Sequence, residues 1–436
     1  APEPALRLLL SVFCGYPLAL IHRHLLYFKP KLVQHLFFLF SGLAIGYFNY
    51  GLDILHTLFA CFISYIVIAL CSGTAFCVAS IFIFNMAYLL YGYYKTSTAD
   101  YDICWTMPQC ILVLRVIGLA FDLYDGKQDA NSLSKENQKV ALSIAPSPLE
   151  FLAHMFFPSA FLVGPQFPMK RYLDFVEGKF HEEPKCIPAA SKRFALGCIY
   201  LAVFQILGLF INDDVMMSEY FDKQSFLKKM FLMGLWGQFT LYKYISCWLI
   251  TEGACILFGL TYNGKDEEGN ELWNGCENIK LSIFEKTTQF NHYIMSFNVN
   301  TNHWVAQYIY KRLKFLGNRY ISQLVSLIFL ALWHGFHSGY YLCFSMEFIL
   351  IYLERDAKSI IDGNHTLHHF FSIPSIRIVT LILLRIYTFV FMGWCLLPFS
   401  LLKFHKYWPV YASVHYIGFI LFWLWPILYS PILRFI

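Results

Sequence analysis

Charge is what this chain has least of. Asp, Glu, Lys and Arg make up 14% of its 436 residues, while apolar types make up 58%. A soluble domain carries about 25% charged residues, so the deficit excludes an ordinary water-soluble fold. No dense Lys/Arg tract stands on a soluble segment, and the net charge is only +5. That balance fits basic loops facing anionic lipid and argues against a nucleic-acid partner. Thirteen cysteines are present, but none forms a CxxC pair and no Cys/His set has zinc-binding spacing, so no metal site is expected. Most, including Cys61, Cys71, Cys77, Cys343 and Cys395, fall within apolar runs and read as small apolar residues, not as a disulfide framework. HExxH, GxSxG, Walker A and GxGxxG patterns are all missing, which disfavours a metalloprotease, a serine hydrolase and a nucleotide-driven pump. Nor is there the inverted internal repeat that marks many transporters.

Continuous apolar runs dominate what is there. A bilayer-crossing helix needs roughly 20 apolar residues, and candidate spans occupy 5–21, 32–48, 52–70, 73–93, 103–121, 149–163, 194–211, 231–249, 321–352, 376–397 and 411–428. Short alternating segments, the mark of a membrane β-barrel, do not occur. The expected fold is therefore an all-α polytopic membrane protein of about eleven transmembrane helices. The run 149–163 is short and holds Pro158, as a re-entrant segment would. The run 321–352 is either one long tilted helix or two pieces broken near Gly335 and Gly339. Polar stretches at 122–148, 164–192 and 262–320 read as loops of a single membrane domain covering 1–436. The chain begins at Ala1 without an initiator methionine, as a truncated or processed chain would.

His334, in Trp333-His334-Gly335, lies inside the run 321–352. An ionisable side chain in an apolar span is costly unless partnered or facing a wet cavity, and its default reading is functional. Histidine is also the side chain best able to move a proton near neutral pH. Gly335, Ser338 and Gly339 thin the helix beyond it, leaving room for a ligand or a close backbone. The competing reading is a histidine hydrogen-bonded between helices, with His337 nearby as a decoy. Asn298 lies in a segment where three asparagines (298, 300 and 302) occur in five positions. Asn can orient a base or donate to a developing oxyanion, yet it equally favours caps and turns. The residues alone do not choose among Asn298, Asn300 and Asn302.

Phe161-Leu162-Val163-Gly164-Pro165-Gln166-Phe167 is a Gly-Pro helix terminator, functional only if it lies against a substrate chain. For Asp53, Asn85, Arg115, Lys243, Glu252, Glu347 and Arg385, in or beside spans, structural pairing is the expectation. Arg115 and Asp122, seven apart on one face, form a candidate pair. Residues 302–320 alternate Trp304, Tyr308, Leu313 and Phe315 with Lys311, Arg312, Lys314 and Arg319, the pattern of an interfacial amphipathic helix.

Leu330-Ala331-Leu332-Trp333-His334-Gly335, followed by Ser338-Gly339-Tyr340 and Glu347-Phe348, resembles the signature of the membrane-bound O-acyltransferase (MBOAT) family. Phe297-Asn298-Val299-Asn300-Thr301, Trp304, Lys311-Arg312-Leu313-Lys314-Phe315-Leu316-Gly317 and the 161–167 turn look like its lysophospholipid acyltransferase branch. The resemblance implies a helical bundle around a buried reaction chamber, in the endoplasmic reticulum membrane. It implies acyl transfer from acyl-CoA to the sn-2 hydroxyl of a lysophospholipid, lysophosphatidylcholine first, then lysophosphatidylethanolamine and lysophosphatidylserine, with polyunsaturated acyl chains favoured. It assigns His334 as general base and Asn298 as the residue that orients the hydroxyl or steadies the oxyanion. Trp333, Ser338, Tyr340, Asn302 and Trp304 become expected substrate contacts. Lys311, Arg312 and Lys314 are candidates by charge for the CoA phosphates, and Trp304 or Tyr308 for stacking on adenine. Acyl-CoA is a co-substrate, so no cofactor is implied. Membrane lipids are partners, and a homo-oligomer is left open. The alternatives are another acceptor within the family (protein, sterol or diacylglycerol) and a lipid transporter or scramblase.

Overall fold

A computed structural model describes residues 2–97, 103–180 and 185–435. Ala1, Ile436 and the part of the expected 164–192 loop at 181–184 lie outside the described residues. Among the described residues the chain is helical throughout, with only two isolated β-bridges, Lys265 with Glu271 and Ile279 with Phe297. The helices that build the site are α1 (Glu3–Ile21), α2 (Lys31–Tyr50), α3 (Ile54–Cys71), α4 (Ala75–Thr96), α5 (Thr106–Asp125), α6 (Pro148–Met155), α7 (Cys186–Leu207), α8 (Phe226–Phe258), α9 (Val299–Val305), α10 (Arg319–His334), α11 (Ser338–Gly363) and α12 (Pro374–Leu401).

Seven helical segments among the described residues are long and apolar enough to cross a membrane: Glu3–Leu26, Lys31–Cys71, Ala75–Thr96, Thr106–Asp125, Cys186–Leu207, Phe226–Phe258 and Pro374–Leu401. The expected spans 32–48 and 52–70 become one segment, bent by a 3-10 turn at Gly51–Asp53. The run 149–163 yields only the eight-residue α6, followed by buried turns. Proline at 158 and Gly164-Pro165 forbid a continuous ladder there. Residues 321–352 take the broken form, α10 and α11 separated by Gly335, Phe336 and His337. The last expected span, 411–428, is a series of short helical pieces.

Local chemistry sets the helix ends. Thr74 caps α4 by accepting from the Cys77 N–H at 3.1 Å. Ser147 and Glu150 form a reciprocal capping box on α6, and Asn318 accepts from the Tyr320 and Ile321 N–H groups to start α10; each satisfies donors a helix start leaves orphaned. Burial then separates centre from rim. In the apolar windows of α5 and α8, 78% of residues are buried, against 11% for α7, so α5 and α8 are interior and α7 turns most of its surface to lipid. α8 packs against α1, α7 and α12.

The expected Arg115–Asp122 pair does not form. Arg115 instead donates to four backbone carbonyls, those of His154, Met155, Ala160 and Pro165, at 2.7–3.3 Å. Its guanidinium also stands 4.9 Å from the Phe167 ring centroid. Asp122 accepts instead from the Tyr308 hydroxyl at 2.6 Å. One helix cannot bring residues seven apart into contact, since they are separated by about 10 Å of rise. A fork of five donors, by contrast, suits a turn whose carbonyls have no ladder to join. None of the thirteen cysteines is disulfide-bonded.

Candidate active site

The site is a cavity of about 540 Å³, walled by α4, α5, α8, α10, α11 and α12 and by the 161–167 turn. His334, Asn298, Trp333, Tyr340 and Asn302 all line it. Residues 36 apart in sequence, the histidine and Asn298, thus face one space (334 − 298).

His334 is the last residue of α10. The helix ends there because Gly335 adopts φ +130°, a conformation side chains rarely take. The break is held from two sides: the Tyr93 hydroxyl donates to the Trp333 carbonyl at 2.7 Å, and Trp333 Nε1 donates to the Cys110 carbonyl at 2.9 Å. Beyond the break, Gly339 donates its N–H to Leu402 O at 3.0 Å, and a Cβ there would stand 1.8 Å from the Pro398 carbonyl oxygen. The spacing Gly335–Gly339 therefore serves a close backbone approach, one of the two roles its small residues imply. Rings alone pack the imidazole: Tyr340, Phe344 and Phe399 lie 5.4, 5.5 and 5.0 Å away by centroid. Among the described residues no hydrogen bond holds either ring nitrogen, so both are free to meet a bound molecule.

Asn298 is held differently. It sits at the start of α9 with φ 50° and ψ 44°, the left-handed region that asparagine tolerates better than most residues. Asn278 fixes this backbone: its carbonyl accepts from the Val299 N–H at 3.0 Å, its Oδ1 from the Asn300 N–H at 2.9 Å, and its Nδ2 donates to Asn298 Oδ1 at 3.4 Å. Behind it, the Asn278 N–H donates to Glu252 at 3.4 Å, and Glu252 pairs with Arg193 at 3.1 Å. Asn300 donates to Cys276 O, and Asn302 to Ile294 O and Phe297 O. Asn300 and Asn302 are thereby committed to backbone, which leaves the Asn298 amide N–H₂ turned to the cavity.

Leu162, Val163, Gly164 and Gln166 line the same cavity, so the turn that Arg115 pins does face the space a substrate chain would occupy. A second pocket of about 210 Å³, containing Asp213, Asp214, Ser400 and Lys406, adjoins it and shares Lys243, Tyr244, Tyr340, Phe399 and Leu402.

The remaining expected contacts lie elsewhere. Ser338 Oγ bonds the Tyr407 hydroxyl at 3.0 Å and is not part of the cavity wall. Trp304 and Tyr308 are 3% and 4% exposed and belong to the core. Trp304 Nε1 donates to Leu114 O at 2.9 Å, and its ring stacks on Phe329. Burial and the neighbouring Asp122 push the Tyr308 hydroxyl well above its usual range. Lys311 pairs with Glu136, Arg312 holds Asp125 through two bonds of 2.8 and 2.5 Å, and Lys314 is exposed; none lines the cavity. The Lys311 ammonium holds the Glu136 carboxyl below its ordinary range. Sequence reasoning missed Asn278 and Arg193, since nothing local in Cys276-Glu277-Asn278-Ile279 distinguishes a scaffold asparagine from a loop one.

A helix break, a histidine without a hydrogen bond among the described residues and a backbone-held asparagine thus line one cavity. Residues 90–397 match the MBOAT, membrane-bound O-acyltransferase family, and the chain belongs to it as a multi-pass membrane acyltransferase. It is 46% identical over 426 residues to lysophospholipid acyltransferase 5 of Mus musculus, covering 97% of this chain and 88% of that protein. It is also 46% identical over 436 residues to lysophospholipid acyltransferase 5 of Drosophila melanogaster (98% and 87% covered), and 37% identical over 442 residues to that of Caenorhabditis elegans (100% and 93%).

Proposed function

We propose that the protein transfers the acyl group of acyl-CoA to the free sn-2 hydroxyl of a lysophospholipid, lysophosphatidylcholine first. The observation that carries this reading is the pairing of an unbonded His334 with a backbone-locked Asn298 across one cavity of about 540 Å³. Membership in an acyltransferase family and relatives named lysophospholipid acyltransferases support it. His334 takes the proton from the acceptor hydroxyl as its oxygen attacks the thioester carbonyl. The new C–O bond forms, the C–S bond breaks, and the proton passes to the departing CoA sulfur. General-base action of this kind contributes about 10²–10⁴ in rate. The Asn298 N–H₂ donates to the hydroxyl or the tetrahedral oxygen, a contact worth about 2.7–4 kcal/mol when well placed. The largely apolar wall limits the access of water to the thioester. Apolar lining such as Ile103, Met107, Ile111 and Leu162 suits the long donor chain, polyunsaturated by this reading, and residence in the endoplasmic reticulum belongs to the same reading.

The test is acyl transfer from arachidonoyl-CoA to lysophosphatidylcholine by purified protein, comparing wild type with His334→Ala and Asn298→Ala at matched melting behaviour. Product from wild type and its loss in both variants is the expected result. A folded His334→Ala protein of near-normal rate overturns the mechanism. Wild type that acylates a sterol, diacylglycerol or peptide in preference to every lysolipid overturns the acceptor.

A further inference from the structure

Most glutamates on the interior helices and the segments packed against them have a donor. Glu252 has Arg193 and the Asn278 N–H, Glu285 has Tyr200, Tyr242 and Gln238, and Glu354 accepts from the Phe290 N–H at 2.7 Å. Glu347 is the exception. It lines the reaction cavity from α11, and among the described residues no hydrogen bond or ion pair reaches its carboxyl. The thiols of Cys343 and Cys395 stand near it, and the cavity it lines is also walled by the aromatic rings of Phe290, Tyr293 and Phe344. A carboxyl kept unpaired in an apolar enclosure is costly, and such a group in a membrane protein is functional by default.

Its position narrows what would meet it. Phe344 packs its ring on the His334 imidazole, and Glu347 follows three residues on, a rise of about 4.5 Å. A lysophospholipid whose sn-2 hydroxyl sits at His334 carries its head group from the adjacent carbon, one phosphodiester length away. A carboxylate beside aromatic faces is the chemistry that receives a quaternary or primary ammonium, by charge and by attraction to the ring faces. A pantetheine amide would satisfy a hydrogen bond but leave the charge uncompensated.

Resting on the acceptor reading above, we infer that Glu347 is a specificity-determining residue that binds the head-group ammonium of the lysophospholipid acceptor. The discriminating probe is a pair of acceptors: lysophosphatidylcholine and its isostere in which a tert-butyl group replaces the trimethylammonium, so that the ammonium charge is lost and the phosphate charge is kept. The expected result is that wild type favours the ammonium-bearing acceptor about tenfold or more in kcat/KM, chiefly through KM. Glu347→Gln, with unchanged melting and unchanged KM for acyl-CoA, brings the ratio near one, and Glu347→Asp restores part of it. Wild type that does not discriminate overturns the inference, as does a Glu347→Gln protein that keeps the wild-type ratio. So does a variant whose loss falls equally on both acceptors or on the KM for acyl-CoA. Wild type that acylates neither acceptor fails the lysophospholipid reading itself, a result distinct from the others.

Discussion

The two sides of the cavity hold their key residues by different means. On one side His334 rests among Tyr340, Phe344 and Phe399, fixed by ring packing and by a helix end, with no hydrogen bond on either nitrogen among the described residues. On the other, Asn298 is the last link of a polar chain running Arg193, Glu252, Asn278. The difference suits the roles proposed for the two residues. A base must give and take a proton, so any resident partner would compete with the substrate. A donor aimed at a developing charge gains from being immobile before the charge appears.

Several changes would break or sharpen that contrast. The largest effect belongs to His334→Ala, with kcat expected to fall about 10²–10⁴-fold while the melting temperature holds, because only ring contacts are lost; kinetics beside a thermal melt check both. Next is Arg115→Met, which removes the guanidinium donor from the carbonyls of Met155, Ala160 and Pro165, leading into and within the cavity turn. Leaving a buried acceptor unsatisfied costs about 1–3 kcal/mol, so the expected readout is a lowered melting midpoint and lost monodispersity. Asn278→Ala comes third. It leaves Asn298 in place but loosens it, so kcat should drop about tenfold, the effect of one typical hydrogen bond to a positioned group, with the KM for acyl-CoA unchanged. The corresponding change on the other side, Phe344→Leu, keeps an apolar contact and should move kcat less than Asn278→Ala does.

The smallest effect is on the surface. Lys311 and Glu136 form a partly exposed pair, worth at most about 1 kcal/mol. Because Lys311 lowers the Glu136 carboxyl, that contribution is present above the carboxyl's unfolded range. It is lost as pH falls through the lower folded value. Melting of Lys311→Ala against wild type should therefore differ slightly at neutral pH, converge in acid, and shrink in high salt.

Apolar run length was enough to place the interior helices, while Gly335 and Gly339 offered a break behind His334 as one of two forms, and the structure takes it. Local pattern was partial where proline interrupts a run: Pro158 marks 149–163 as a short re-entrant segment, but the end of its helix at Met155 is set by the fold. It was silent where the partner is remote in sequence. Asn278 reaches Asn298 across 20 residues, and Trp333 reaches Cys110 across 223. Trp304 and Tyr308 show a third limit. Aromatic and basic residues alternate in 302–320 as they would at a lipid interface, yet both rings turn inward against α5 because Leu114 O and Asp122 offer acceptors there. The choice of Asn298 over Asn300 and Asn302 came from family resemblance; in the structure the amides of the other two donate to backbone carbonyls, a difference no local pattern shows.

The place where α10 stops has an electrical consequence. Peptide dipoles along a helix sum to a partial negative charge at its C-terminus, and a cation beside that end is stabilised by about 0.3–2 kcal/mol depending on burial. His334 is the terminal residue of a sixteen-residue helix, and among the described residues no carboxylate pairs with it. In the proposed mechanism the imidazole takes a proton, and the positive charge it then acquires would be met by the helix itself. The field is built into the backbone, needs no titratable partner, and vanishes if the helix is continued through residue 335.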